Sequence, residues 1–240
     1  MPDGADRDSV LITRPEPGAE ETARRIAAMG FVPVLAPLLR IQPVTCQDGI
    51  TPGPGMAAVL ATSRNAIPAL HRFDKRMPVL AVGDATAATA RQCGFENVLS
   101  ASGNAAALAD LARGHLLPGA GSLLLVTGRG QGRELRTALE ASGFCVVRRE
   151  VYEAVPVEAL PEAASAALRG RRLRAALFFS AETARCFVRL AQDAGVADSV
   201  HAVEAVAIGP AAGVALEALP WRQIAVATKP NQTEMLALLR

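Results

Sequence analysis

The sequence predicts an α/β fold of parallel sheets covered by helices, and three observations carry that prediction. Short runs rich in Val, Leu and Ile alternate with Ala-rich stretches of helical period, the pattern of strands buried on both faces by crossover helices. Half of the residues are apolar and only 4% are aromatic, so the cores are aliphatic and little is left for stacking on nucleic-acid bases. The length of 240 residues exceeds one domain of about 150 residues, which makes two small domains the first expectation.

Val10 to Thr13 reads as the first strand. Glu20 to Met29 follows as a helix with Ala23, Ile26 and Ala27 on one face and Arg24 and Arg25 outside, and Gly30 supplies its left-handed stop. Further strands are expected near Val32–Leu35, Ala57–Ala61, Val79–Val82, Leu123–Val126, Phe144–Val147, Ala175–Phe179, Ala205–Ile208 and Ile224–Ala227. Laid side by side, these elements repeat. Leu11-Ile-Thr-Arg14, a helix, Gly30 and Phe31 are echoed by Leu125-Val-Thr-Gly-Arg129, a helix, Gly143 and Phe144. Val59-Leu-Ala-Thr-Ser63 is echoed by Leu177-Phe-Phe-Ser180, Ala81-Val-Gly83 by Ala207-Ile-Gly209, and Ser102-Gly-Asn104 by Lys229-Pro-Asn231. The order is A, B, A′, B′. Proline-flanked extended stretches at Leu39 to Pro43 and Glu150 to Pro156 read as joints. Spacing alone leaves open which A packs with which B; local connection favours simple halves with a boundary near Pro118–Gly121.

The 25 basic and 23 acidic residues leave a net charge of +2, too balanced for a chain whose main partner is a nucleic-acid backbone, so any anion site must be local. No apolar run is long enough to span a membrane, and Met1 to Asp8 is acidic and polar where a secretory signal is basic and then apolar. A cytosolic protein is expected. Cys46, Cys93, Cys145 and Cys186 are widely spaced, as are His71, His115 and His201. The cysteines therefore read as free thiols, and no metal site is expected.

The sequence has no G-x-S-x-G elbow, no Walker loop and no H-E-x-x-H. Gly128-Arg-Gly-Gln-Gly132 follows a strand, with Glu150 where a ribose-binding acid would sit, but its glycines run G-x-G-x-G. A tight strand-to-helix turn explains them without a ligand. More informative is the set of strand-to-helix corners: Arg14, Thr62 and Ser63, Gly83 to Thr86, Arg129 to Arg133, Ser180, Gly209, and Thr228 to Asn231. All fall at carboxyl ends of strands, where open α/β sheets bind ligands and where helix N-termini seat carboxylates or phosphates. Singly, Ser63 and Ser180 also read as helix N-caps; together the corners point to an anionic ligand held between two similar domains. Tyr152, the only tyrosine, sits in the second joint and either packs there or donates a proton to a leaving group.

Taken together these residues resemble the uroporphyrinogen-III synthase family. The resemblance is carried by Thr13-Arg-Pro15, Ala61-Thr-Ser-Arg-Asn-Ala66, Ala81-Val-Gly83 with Thr86-Ala87, Gly128 to Leu135, Val151-Tyr152, Phe178-Phe-Ser180, Ala207-Ile-Gly-Pro210 and Ala227-Thr-Lys-Pro230, which stand in family order along the chain. It implies two similar parallel-sheet α/β domains joined by a two-stranded connection. One domain would comprise 1–38 with 156–240 and the other 44–149, with 39–43 and 150–155 crossing between them. It implies the cyclisation of the linear tetrapyrrole hydroxymethylbilane, with loss of water and inversion of the last ring through a spiro intermediate, serving haem, sirohaem or corrinoid synthesis. It further implies that no cofactor takes part and that the chain is a monomer, in at most transient contact with hydroxymethylbilane synthase. By the same resemblance Tyr152 assists departure of the hydroxyl, and Ser63, Thr86 and Ser180 match the family's polar corner residues; with the other corners, at Arg14, Thr62, Gly83, Gly128, Arg129, Arg133, Gly209, Thr228 and Asn231, they are expected to bind the polycarboxylate substrate. Ala212 and Asn231 stand where the family often has Thr, so those two corners would rely on backbone N–H groups or on the Asn231 amide. The alternative is a non-catalytic two-domain binding protein for a small polyanion, and a third reading is a nucleotide-dependent oxidoreductase using Gly128 to Gly132.

Overall fold

The computed structural model describes residues 8–44 and 50–239; the start of the chain through Arg7 and Cys46 lie outside them. The chain forms two compact units, one of residues 1–40 and 155–240 and the other of residues 41–154.

The first unit opens with β1 (Ser9–Ile12), α1 (Gly18–Ala28) and β2 (Val32–Leu35). Gly30 ends α1 at φ +89°, a conformation that costs a side-chain-bearing residue more than glycine. The Phe31 amide then reaches back to the Ile26 carbonyl at 3.2 Å, satisfying a helix-end carbonyl. The remainder of the unit is α5 (Glu162–Arg169), β9 (Leu173–Phe178), α6 (Ala181–Asp193), a 3₁₀ segment (Ala197–Ala202), β10 (Glu204–Ala207), α7 (Pro210–Leu216), β11 (Gln223–Val226) and α8 (Gln232–Ala237). The five strands order as β11-β10-β9-β1-β2, with every adjacent pair parallel. Alternate residues of the central strands feed two cores. Val10, Ile12, Ala175, Leu177 and Val206 pack with Ile26, Met235 and Leu239. Leu11, Ala176, Phe178 and Ala205 pack with Leu168, Phe187 and Leu216 on the other face. There the rings of Phe178, Phe187 and Trp221 lie 5.3 to 5.7 Å apart, in the range of favourable aromatic pairs.

The second unit contains β4 (Met56–Ala61), a 3₁₀ segment (Arg64–Leu70), β5 (Val79–Ala81), α2 (Asp84–Gln92), β6 (Val98–Ser100), α3 (Ala105–His115), β7 (Ser122–Gly128) and α4 (Arg133–Glu140). The chain passes between units within β3 (Leu39–Pro43) and within β8 (Cys145–Pro156), which complete a sheet of order β3-β8-β7-β4-β5-β6. The segment Pro118–Gly121 lies inside this unit, in the turn before β7. Gly143 repeats the ending of Gly30: it takes φ +84°, and the Phe144 amide reaches the Leu139 carbonyl at 3.2 Å. Here too two cores form, one around Val59, Ala81, Leu124 and Val126 and one around Leu60, Leu80, Leu123 and Leu125.

Two elements depart from the sequence expectation. The strand expected at Phe144–Val147 and the extended joint expected at Glu150 to Pro156 form a single strand, β8, because Arg148 and Arg149 interrupt the apolar run without ending the ladder to β7. The short β6 is added beyond β5, its register set by Val79 opposite Val98. Among the described residues no helix is long and apolar enough to cross a membrane.

Candidate functional site

In the second unit three strand ends meet helix starts. After β4, Thr62 donates from its hydroxyl to the Val126 carbonyl at 3.3 Å. Ser63, in extended backbone, caps the 3₁₀ segment by accepting from the Asn65 amide at 3.2 Å. After β5, Gly83 caps α2 through backbone alone, and Thr86 is buried behind it at 5% exposure. The first residue of α2, Asp84, accepts from the hydroxyls of Ser100 at 2.6 Å and Ser102 at 2.9 Å, which draw its carboxyl below the usual range. After β7, Gly128 is buried against Tyr152: a Cβ on Gly128 would stand 2.9 Å from the phenol ring, so only glycine fits that approach. Tyr152 itself is 6% exposed and belongs to the core of this unit.

The loop from Gly128 to Arg133 is tied to β8. The Arg129 amide donates to the Tyr152 carbonyl at 2.8 Å, and the Arg129 guanidinium pairs with Glu153. Gly132 caps α4 at φ +80°, where a Cβ would strike Thr127. A cavity of about 470 Å³ is lined by Thr62, Ala105 and the run Gly130 to Leu135. The starts of α3 and α4 both reach it, so its walls include two helix N-termini as well as Arg133 and Glu134. Of the sequence-predicted residues it joins Thr62 and Arg133; Ser63, Gly83, Thr86, Gly128, Arg129 and Tyr152 are outside its lining. Gln131 and Glu134 lie within the stretch Gly128 to Leu135 already singled out from the sequence; what sequence reasoning missed is Ala105 in the lining and Arg148 on β8. A polar run within an otherwise apolar strand is the signal that could have drawn attention to Arg148. Glu150, considered as a ribose ligand, accepts instead from the Gly130 amide at 3.0 Å and from Arg148.

The first unit has its own corners. Arg14 lies with its guanidinium 4.3 Å above the Phe179 ring, donates to Thr22 and to Gln232 at 3.2 Å, and packs so closely on Gly18 that a Cβ there would overlap it. Ser180 caps α6 by accepting from the Thr183 amide at 3.1 Å. Gly209 precedes α7 in extended backbone with Pro210 at its first turn, and Ala212 is buried there. Thr228 donates to Glu234 at 2.9 Å, and Asn231 caps α8 by accepting from the Glu234 amide at 2.9 Å. Each hydroxyl or amide cap thus satisfies one backbone donor and leaves the adjacent turn to provide the rest of the positive helix end.

A sequence model described as uroporphyrinogen-III synthase HemD matches residues 20–237. The fold is similar to that of uroporphyrinogen-III synthetase from Helicobacter pylori, at 16% identity and a TM-score of 0.62 over 97% of each chain. It is also similar to that of a mutant uroporphyrinogen III synthase from Thermus thermophilus, at 19% identity and a TM-score of 0.50 over 95% of this chain and 96% of that one. No curated protein sequence matches the chain.

Proposed function

The chain belongs to the uroporphyrinogen-III synthase family and is an enzyme of that activity, and we propose that it works through Tyr152 and the strand-end corners of both units. The family match over residues 20–237 carries the activity; the corner geometry supports the assignment of residues to it.

The substrate of this chemistry is hydroxymethylbilane, an open chain of pyrroles bearing many carboxylates. The corners at Thr62 and Ser63, Gly83 to Thr86, Gly128 to Arg133, Ser180, Gly209, and Thr228 to Asn231 receive these carboxylates, mainly on backbone N–H groups. Arg14 and Arg129 are already engaged within their own units, so among the proposed arginines Arg133 at the cavity wall is the one best placed to meet a carboxylate directly. One helix end contributes about 0.3–1 kcal/mol to holding an anion, whereas micromolar binding takes about 8 kcal/mol. Several corners therefore act together.

The reaction begins when the hydroxyl on the terminal carbon departs. Tyr152 donates its phenolic proton to that oxygen, which leaves as water, so that the phenol becomes phenolate and the first ring an azafulvenium cation. The electrophilic carbon is attacked by the substituted α-carbon of the last ring, giving a spiro intermediate; that intermediate opens and recloses with the ring inverted. The proton lost as the last pyrrole regains aromaticity restores the phenol, so protons balance over the cycle. Because the substrate also closes without help to the uninverted isomer, the protein's work is to restrict conformation and to stabilise charge with groups already in place. The exposed thiols of Cys93 and Cys145 suit a reducing compartment, consistent with a cytosolic enzyme, and nothing in the reaction as drawn calls for a second copy of the chain.

The test is to supply hydroxymethylbilane, oxidise the products and separate the porphyrin isomers. The enzyme is expected to give isomer III faster than the spontaneous closure. Isomer I alone, formed at the rate seen without protein, would reject the activity in favour of a binding protein.

A further inference from the structure

The charged pair on β8, Arg148 and Glu150, has no part in the chemistry above, yet both side chains reach the loop between β7 and α4. Arg148 donates from Nη1 to Glu150 Oε1 at 2.8 Å and to the Gln131 carbonyl at 2.7 Å. The same Glu150 oxygen accepts from the Gly130 amide at 3.0 Å. With the Arg129 amide on the Tyr152 carbonyl, three successive loop residues are tied to alternate positions of one strand. Within itself the loop has a turn bond from the Gln131 amide to the Gly128 carbonyl at 3.1 Å. Gly130 and Gly132 sit at φ +74° and +80°, and glycine loses more freedom on ordering than any other residue. The pair that braces it is only 17% and 30% exposed, so water competes less for it than for a surface ion pair. The Arg148 guanidinium and the Gly130 amide hold the Glu150 carboxyl below the usual carboxylate range, which keeps the brace charged at neutral pH.

We propose that Arg148 and Glu150 are positioning residues for the cyclisation, a strut on β8 that fixes residues 129–131 and so presets the cavity wall from Gly130 to Leu135 for a substrate carboxylate. The inference rests on the corner site proposed above. It predicts that loss of the strut weakens binding more than turnover, because the substrate must then order the loop itself.

The experiment is steady-state formation of isomer III by Glu150→Ala, Glu150→Gln, Arg148→Met and the double variant Glu150→Ala/Arg148→Met, with Arg133→Ala as the comparison at the cavity wall. Glu150→Ala is expected to raise KM roughly 10- to 100-fold, the range for losing hydrogen bonds to a charged group, with kcat kept within about 3-fold. Glu150→Gln, whose amide oxygen still accepts from Gly130, should recover part of that loss. The double variant should be worse than Glu150→Ala by less than Arg148→Met costs alone, since Arg148 keeps its bond to Gln131 when Glu150 is lost but the two residues share one contact. Should Glu150→Ala not fold, Glu150→Gln and Arg148→Met supply the measurement. A wild-type KM in the Glu150 and Arg148 variants, or a fall in kcat at unchanged KM, overturns the strut. If Arg133→Ala meanwhile weakens binding, the corner site survives that failure; a wild-type KM there as well removes the corner at Gly128 to Arg133 from the site.

Discussion

Tyr152 must be both packed and reactive to protonate a departing hydroxyl. Its ring fills the space that Gly128 leaves by having no side chain, and the core of the second unit surrounds it. That packing fixes where the phenol oxygen lies relative to the Gly128 corner, which is what a proton donor needs. Tyr152→Phe keeps the ring and removes only the hydroxyl, so melting should be little changed while kcat falls about 10- to 1000-fold, below or within the usual contribution of a general acid. Isomer analysis of the variant decides the matter: full turnover leaves Tyr152 as core alone. Arg14, which the sequence marks as an anion ligand by its place after a strand, has its guanidinium over Phe179 and bonded to Gln232, partners remote in sequence that periodicity does not reveal.

The caps that make the corners also set the stability of the helices behind them. Ser180 satisfies the Thr183 amide at the start of α6, and its loss should cost about 0.5–2 kcal/mol. The remaining backbone N–H groups still face the corner, so Ser180→Ala should lower the melting temperature while leaving KM within about 3-fold; a large rise in KM would instead make the hydroxyl a direct ligand. At the start of α2 the argument turns on pH. Asp84 has its folded pKa drawn down from 3.8, first by Ser100 and then by Ser102. Its contribution is therefore present above the unfolded value and is lost as pH falls through the lower folded one. Melting curves taken from about pH 7 to about pH 3 should show a shallower acid limb for Asp84→Asn than for the parent chain, and identical limbs would remove Asp84 from the acid response. At this scale the sequence was most informative where apolar runs were unbroken. β1, β4 and β9 stood out as Val- and Leu-rich runs, and the helix ends at Gly30 and Gly143 through their glycines. β8 reads as two pieces because Arg148 and Arg149 break its apolar run, and the three-residue β6 is too brief for alternation to register.

The internal repeat exposed similar halves, but not how the chain shares them out, because hydrophobic period carries no record of which strand lies beside which. The sheets supply that: β1 lies between β2 and β9, and β4 between β5 and β7. Thr13 in the first segment donates to Leu177, 164 residues away, whereas every strand from β4 to β7 belongs to one continuous stretch. The order of folding follows from this arrangement. Closing a loop costs entropy that grows only as the logarithm of its length, about 0.6 kcal/mol per doubling, so distance alone favours the second unit modestly. The larger effect is that residues 41–154 lie inside the loop that the first unit must close. Once β3 and β8 are neighbours in a formed sheet, the ends of that loop are already near each other, and pairing β1 with β9 becomes a short closure. Pulsed hydrogen exchange during refolding should therefore protect the amides of β4 and β7 before those of β1 and β9. Substitutions that weaken the second core, such as Leu60→Ala, should delay protection in both units, whereas Phe187→Ala, in the core beneath β9, should delay only the first. Early protection of β1 and β9 in a chain whose β4 and β7 amides still exchange would show that the discontinuous unit closes its long loop unaided.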